Sequence, residues 1–97
     1  MPRVTLASFS VKDRIINQAM KMDATASELD LLLYIAQHES TFNPYAKNSK
    51  STASGLYQYL TSTWNYQCKG DIWDVEDQTT CALNDIRIGR ASQWAVL

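Results

Sequence analysis

A carboxylate that closes the most apolar helical stripe constrains this chain more than any other feature. Leu32, Ile35 and Ala36 stand seven, four and three positions before Glu39. On a helix opened by Ser27, with Asp30 three residues later as its capping partner, all four side chains share one face. An acid there is partly desolvated and sits at the negative end of the helix dipole. Both effects disfavour the anion and predict that Glu39 keeps its proton near neutral pH. Cleavage of a glycosidic bond requires a general acid in that state. The plainer reading is a glutamate turned outward to water, the commoner fate of helical glutamates. Asn43-Pro44 predicts that the helix stops just beyond the acid, which leaves Glu39 at the edge of a cleft.

The remaining pattern is helical. Ser10 and Asp13 form a capping-box pair opening a helix to about Met22, with Val11, Ile15, Ala19 and Met22 at helical spacing. Residues 40 to 57 are turn-rich, with room for a short hairpin. Thr61 or Ser62 caps a short helix through Trp64. Asp74 and Asp77 open a last long helix, with Trp73 as a hydrophobic staple and Ala82, Ile86, Gly89 and Ala91 facing inward. The fold class expected is all-α, or α+β at most. With 97 residues, 45% of them hydrophobic, and no linker or repeat, residues 1–97 read as one domain with a modest core. A net charge of −1 with scattered basic residues gives no footprint for nucleic acid, and no apolar run approaches membrane-spanning length. One histidine and two cysteines make no credible metal set, so His38 reads as a helix-end residue and no cofactor is expected.

A two-part motif narrows the function. The chain runs Glu39-Ser40-Thr41-Phe42-Asn43-Pro44-Tyr45-Ala46, then Ser49, then Ala53-Ser54-Gly55-Leu56-Tyr57-Gln58 and Thr63-Trp64. In order and separation this resembles the catalytic core of soluble lytic transglycosylases, peptidoglycan-cleaving enzymes of the lysozyme-like superfamily. Their pattern reads Glu-Ser, an aromatic, Asn-Pro, a Ser, Ala-x-Gly-Leu-x-Gln and a Thr shortly after. The resemblance is firm over residues 28 to 64 and faint from 74 to 94. It implies a small lysozyme-like helical domain acting on peptidoglycan glycan strands, with Glu39 as sole acid and base. It further implies that Ser49 and Ser54 support the acetamido group of the substrate or the acid, and that Gln58 binds sugar.

The same residues have their own physical readings. Gly55 permits a backbone closed to other residues and lets a ligand approach the main chain. Gln58 donates and accepts at once, which suits N-acetyl and hydroxyl groups. Tyr57 and Tyr59 read equally as sugar platforms and as core, whereas Phe42 and Trp64 read as core. Hydrolysis by paired carboxylates needs a second acid at a set distance. Asp71, Asp74, Glu76, Asp77 and Asp85 all fall in the back half, mostly at helix-start positions that capping explains. The mechanism that the resemblance implies, cleavage of the bond from N-acetylmuramic acid to N-acetylglucosamine with closure of a 1,6-anhydro ring, needs one carboxyl group, which suits this sequence. The alternatives are a muramidase on the same fold and a catalytically silent wall-binding or virion module.

The sequence also departs from the family pattern. One extra residue separates Pro44 from Ser49, Thr52 stands where Gly is frequent, Tyr57 replaces a common Met, and Thr61 replaces the usual Pro. The family's later Tyr-Asn-Ala-Gly segment is missing, and no tyrosine follows Tyr66. The residue that orients the acid is therefore unassigned, and the closing run from Gly89 to Trp94 receives no role. Cys68 and Cys81 are either two buried thiols or a disulfide worth about 3 kcal/mol on a simple loop model. Their even number and a wall-facing function favour the bond. Met1 to Ser10 contains no secretory-signal pattern, so delivery by a phage particle, a lysis system or a secretion machine is expected, the phage route foremost.

Overall fold

The computed structural model describes residues 10–94. Four helices follow one another: α1 Val11–Lys21, α2 Ala26–Ser40, α3 Thr61–Gln67 and α4 Val75–Arg87, then a 3-10 turn Ala91–Gln93. No sheet forms among the described residues. The turn-rich stretch contributes two isolated antiparallel bridges, Lys47 with Ser54 and Ser54 with Tyr59. The architecture is thus all-α, with the expected hairpin reduced to single bridge pairs.

Helix starts follow local capping chemistry. Ser10 Oγ accepts from Asp13 N and the Asp13 carboxylate accepts from Ser10 N, the expected capping box. α2 begins earlier than the sequence suggested. Thr25, not Ser27, is its N-cap and pairs reciprocally with Glu28. Both Ser27 and Thr25 are followed three residues on by an acid, so local chemistry allowed either start. At α4, Asp74 accepts from Asp77 N as expected. The Trp73 staple has no apolar partner, because the fourth helical position is Gln78. α3 lacks a side-chain cap of its own. Thr61 N instead donates to Thr52 Oγ1 at 3.1 Å, which gives a purpose to the threonine standing where the family often has glycine.

Helix ends are set by backbone geometry. α4 closes in a Schellman arrangement: Arg90 N donates to Asp85 O at 2.8 Å and Gly89 N to Ile86 O at 3.2 Å, with Gly89 at φ 85°. Gly89 is consequently an exposed helix stop and not an inward-facing residue. α2 ends through Thr41 and Phe42 at φ 52° and 59°, two successive left-handed residues with side chains, ahead of Asn43-Pro44. Each such conformation costs about 1 kcal/mol.

The core joins Ile15 and Ala19 of α1, Leu32, Ile35 and Ala36 of α2, and Val75, Ala82 and Leu83 of α4 to Leu56, Tyr57, Tyr59, Trp64 and Trp94. α4 packs chiefly on α1, and both meet α2. At the margin of that packing Arg14 pairs with Glu76, and Arg87 with Glu28 and the Met22 carbonyl. Solvent screening leaves ion pairs as exposed as these with little weight in stability. Cys68, at the end of α3, is bonded to Cys81 in α4, with Cα atoms 5.4 Å apart. The intervening loop folds back along α4, where Asp71 N donates to Asp77 Oδ2. No helix among the described residues is long and apolar enough to cross a membrane.

Candidate active site

Glu39 lies in the last turn of α2, half-buried on the stripe of Leu32, Ile35 and Ala36. It opens into a cleft of about 180 Å³. Tyr57, Gln58, Tyr59 and Leu60 line one side, with Thr63 of α3 beside them, and Gln93 and Trp94 close the other. Burial raises the Glu39 pKa above the ordinary carboxylate value, and neighbouring His38 offsets part of that. His38 itself is exposed, its ring 4.3 Å from that of Tyr34. Among the described residues, no hydrogen-bond donor engages the Glu39 carboxyl group, and His38 is the charge that acts on it. Glu39 is also the only one of the described residues that brings a carboxyl group to the cleft lining.

The acids of the back half are occupied elsewhere. Asp71 Oδ1 accepts from Trp73 N, Asp74 caps α4, Asp77 holds Asp71 N, and Glu76 pairs with Arg14. Asp85 is different in kind. It lies in the last turn of α4, only 2% exposed, and accepts from Tyr59 Oη at 2.6 Å and Gln93 Nε2 at 3.2 Å. Burial, reinforced by the Asp85 bond, raises the Tyr59 pKa well above the usual phenol value, so the hydroxyl stays a donor. The ligand-type cluster of Cys68, Cys81 and Asp85 has both sulfurs committed to the disulfide and offers no thiolate to a metal.

The candidate binding residues divide. Gln58 and Tyr59 reach the cleft beside Glu39, but both are also structural. Gln58, at φ 53°, donates both amide protons of Nε2 to backbone carbonyls, to Gly55 O at 2.9 Å and Ala46 O at 3.2 Å. The Tyr57 ring lies in the core at 1% exposure, its hydroxyl 3.5 Å from Thr79 Oγ1 and its carbonyl accepting from Trp94 Nε1. Tyr57 therefore borders the cleft without a face free for sugar stacking. Tyr59 is likewise buried, edge-on to Trp64 and Trp94.

Ser49, Ser54 and Gly55 are not brought to the cleft. Ser49 is exposed on the preceding turn. Ser54 is buried, with its hydroxyl donating to Thr52 O at 2.8 Å. Gly55, at φ 82°, admits a close approach, but the approaching group is the Gln78 side chain, not a ligand. A Cβ at Gly55 would lie 2.4 Å from Gln78 Oε1. Gln78, 1% exposed, accepts from Leu56 N and donates to Pro44 O, pinning both halves of the motif to α4. Sequence reasoning passed over Gln78 and gave Gln93 and Trp94 no role. A polar side chain at a core position of α4 was the available sign for Gln78.

Neither a curated protein nor a solved structure matches the chain. A family model, described as the Transglycosylase SLT domain, matches residues 15–88. That span runs from within α1 past the end of α4, taking in Glu39 and the Tyr57–Leu60 side of the cleft and stopping short of Gln93 and Trp94. The chain therefore belongs to the transglycosylase SLT family, whose activity is of the lytic transglycosylase type on peptidoglycan.

Proposed function

We propose that the protein is a peptidoglycan lytic transglycosylase in which Glu39 acts alone as general acid and then general base. The observation that carries this reading is a half-buried glutamate, its pKa raised by burial, as the only carboxyl group among the described residues that line the cleft. Protonated Glu39 delivers its proton to the oxygen linking N-acetylmuramic acid to N-acetylglucosamine, and the acetamido group of the substrate assists departure. The resulting carboxylate takes the proton from the muramoyl C6 hydroxyl, whose oxygen closes a 1,6-anhydro ring. The proton balance is complete without water. A hydrolase of the paired-carboxylate type needs a second acid across the cleft, and Asp85, the buried candidate, is held by Tyr59, Gln93 and Arg90.

Gln58 and Tyr59 would shape the sugar site, with Ser49, Ser54, Gly55 and Tyr57 supporting the loop that presents them. The protein would work as one domain in the wall compartment, where the Cys68–Cys81 bond persists. Clearing of a purified peptidoglycan suspension tests the assignment. Wild type should clear it, and Glu39→Gln should lose at least about a hundredfold in rate while remaining folded. Clearing by Glu39→Gln at near wild-type rate would remove Glu39 from the role of acid, and no clearing by wild type would favour a silent wall-binding module.

A further inference from the structure

We infer that Gln93 is a specificity-determining residue of the cleft, reading a hydrogen-bond donor on the bound glycan, and that Asp85 is the positioning residue that sets its orientation. The inference deepens the glycan reading of the cleft and rests on it. Gln93 lies outside the span shared with the family, yet it lines the cleft with Glu39. Its Nε2 donates to Asp85 Oδ2 at 3.2 Å. A carboxylate only accepts, so the NH2 end of the amide must face Asp85, and the opposite rotamer would set oxygen against oxygen. Oε1 is then the atom of Gln93 left for a ligand.

Asp85 is well fixed for such a task. It is buried, it accepts from Tyr59 Oη at 2.6 Å, and its carboxylate lies 3.8 Å from Arg90 Nη1. The Schellman bond from Arg90 N to Asp85 O starts the turn that leads to Gln93. Gln58 shows the same polarity on the facing wall, because both of its amide protons are spent on Gly55 O and Ala46 O. Gln58 and Gln93, both lining the cleft beside Glu39, thus each keep the amide oxygen as the atom not spent on the protein. The chemical class the cleft accepts is a neutral sugar carrying hydroxyl or secondary-amide donors. A carboxylate, phosphate or sulfate at that position would face acceptors.

Steady-state kinetics on purified peptidoglycan test the inference. Gln93→Met keeps length but removes the acceptor, and it should raise KM about tenfold, with kcat within about twofold, while staying folded with a melting temperature lowered by the lost bond to Asp85. Asp85→Asn should raise KM as well. In the double variant KM should rise by less than the product of the two single effects, because Asp85 acts on the glycan in part through Gln93, beside its bond to Tyr59. Wild-type KM in Gln93→Met, or KM effects that multiply in the double variant, would overturn the inference. Co-sedimentation with insoluble peptidoglycan in the Glu39→Gln background gives a readout independent of turnover. If Glu39→Gln sediments and the added Gln93→Met sediments equally well, this inference alone fails. If neither sediments and wild type is inactive, the glycan reading fails first and carries the inference with it.

Discussion

The helical side of this protein and its loop side are held in place by different means. α1, α2 and α4 carry their instructions within a turn or two of sequence, each opened by a cap bond spanning three residues and each burying a periodic stripe. The segment between α2 and α3, residues 41–60, has only two isolated bridges. Side chains fix it instead, Gln58 from within the segment and Gln78 and Trp94 from far along the chain: Gln58 holds Ala46 O, Gln78 holds Leu56 N and Pro44 O, and Trp94 holds Tyr57 O. A segment clamped from a distance can line a cleft that no local structure would hold. Substitutions remote from the cleft should therefore reach its chemistry, whereas helix-cap substitutions should reach stability alone.

The largest expected effect is at Gly55. Gly55→Val forces a β-branched residue to φ 82° and drives Cβ into the buried Gln78 amide, at a cost of at least about 3 kcal/mol. Thermal unfolding should show a large loss together with abolished clearing. A folded, active Gly55→Val protein would break the comparison outright.

Two changes of similar size sharpen it. Gln78→Met strands Leu56 N and Pro44 O in the interior and should cost roughly 3 kcal/mol by urea unfolding, with slower clearing although Gln78 does not line the cleft. Reduction of Cys68–Cys81 removes the tie between the end of α3 and α4 and should cost about 3 kcal/mol. Intact mass of the native protein should be two hydrogens below that of the reduced chain, and two freely alkylated thiols would refute the bond.

Smaller effects belong to the helical side. Ser10→Ala removes an N-cap and should cost about 1 kcal/mol with turnover unchanged. A Ser10→Ala protein with impaired turnover would show that the two sides are not separable in this way. Thr41→Gly should stabilise by about 0.5 kcal/mol, the relief of a left-handed side chain less the entropy of glycine.

The pH dependence has a definite sign. The folded-state pKa of Glu39 lies above its unfolded value because burial disfavours the anion, so stability falls as pH rises between the two. Glu28 and Glu76 act oppositely: hydrogen bonds from Arg87 and Arg14 lower their pKa values, and that stability is lost as pH falls below the unfolded carboxylate range. Glu39→Gln removes only the first effect. Its melting-temperature advantage over wild type should be absent in acid and grow toward neutral pH.

The same contrast explains what was legible in the sequence. The stripes of α1 and α2, the caps at Ser10 and Asp74, and Glu39 at a cleft edge follow from patterns a few residues long. The motif drew attention to Gly55 and Gln58, but not to what they do in the fold. Gly55 accommodates Gln78, twenty-three positions later, and Gln58 spends its donors on the backbone. Ser54 read as a support for the acetamido group or the acid by resemblance, and Tyr57 read equally as sugar platform and core; in the fold the Ser54 hydroxyl donates to Thr52 O and the Tyr57 ring lies in the core. Asp85 looked like one more acid of the back half, and only the fold brings it to Tyr59 and Gln93. No periodicity records such pairings, since each depends on where the chain returns.

The mass of the muropeptides released from purified peptidoglycan tests most directly whether a single carboxyl group performs this chemistry. Ring closure by the C6 hydroxyl predicts 1,6-anhydromuramoyl ends, with wild type producing them and Glu39→Gln producing none. Products with reducing muramic ends, each heavier by one water, would contradict the single-acid account and identify the protein as a hydrolase.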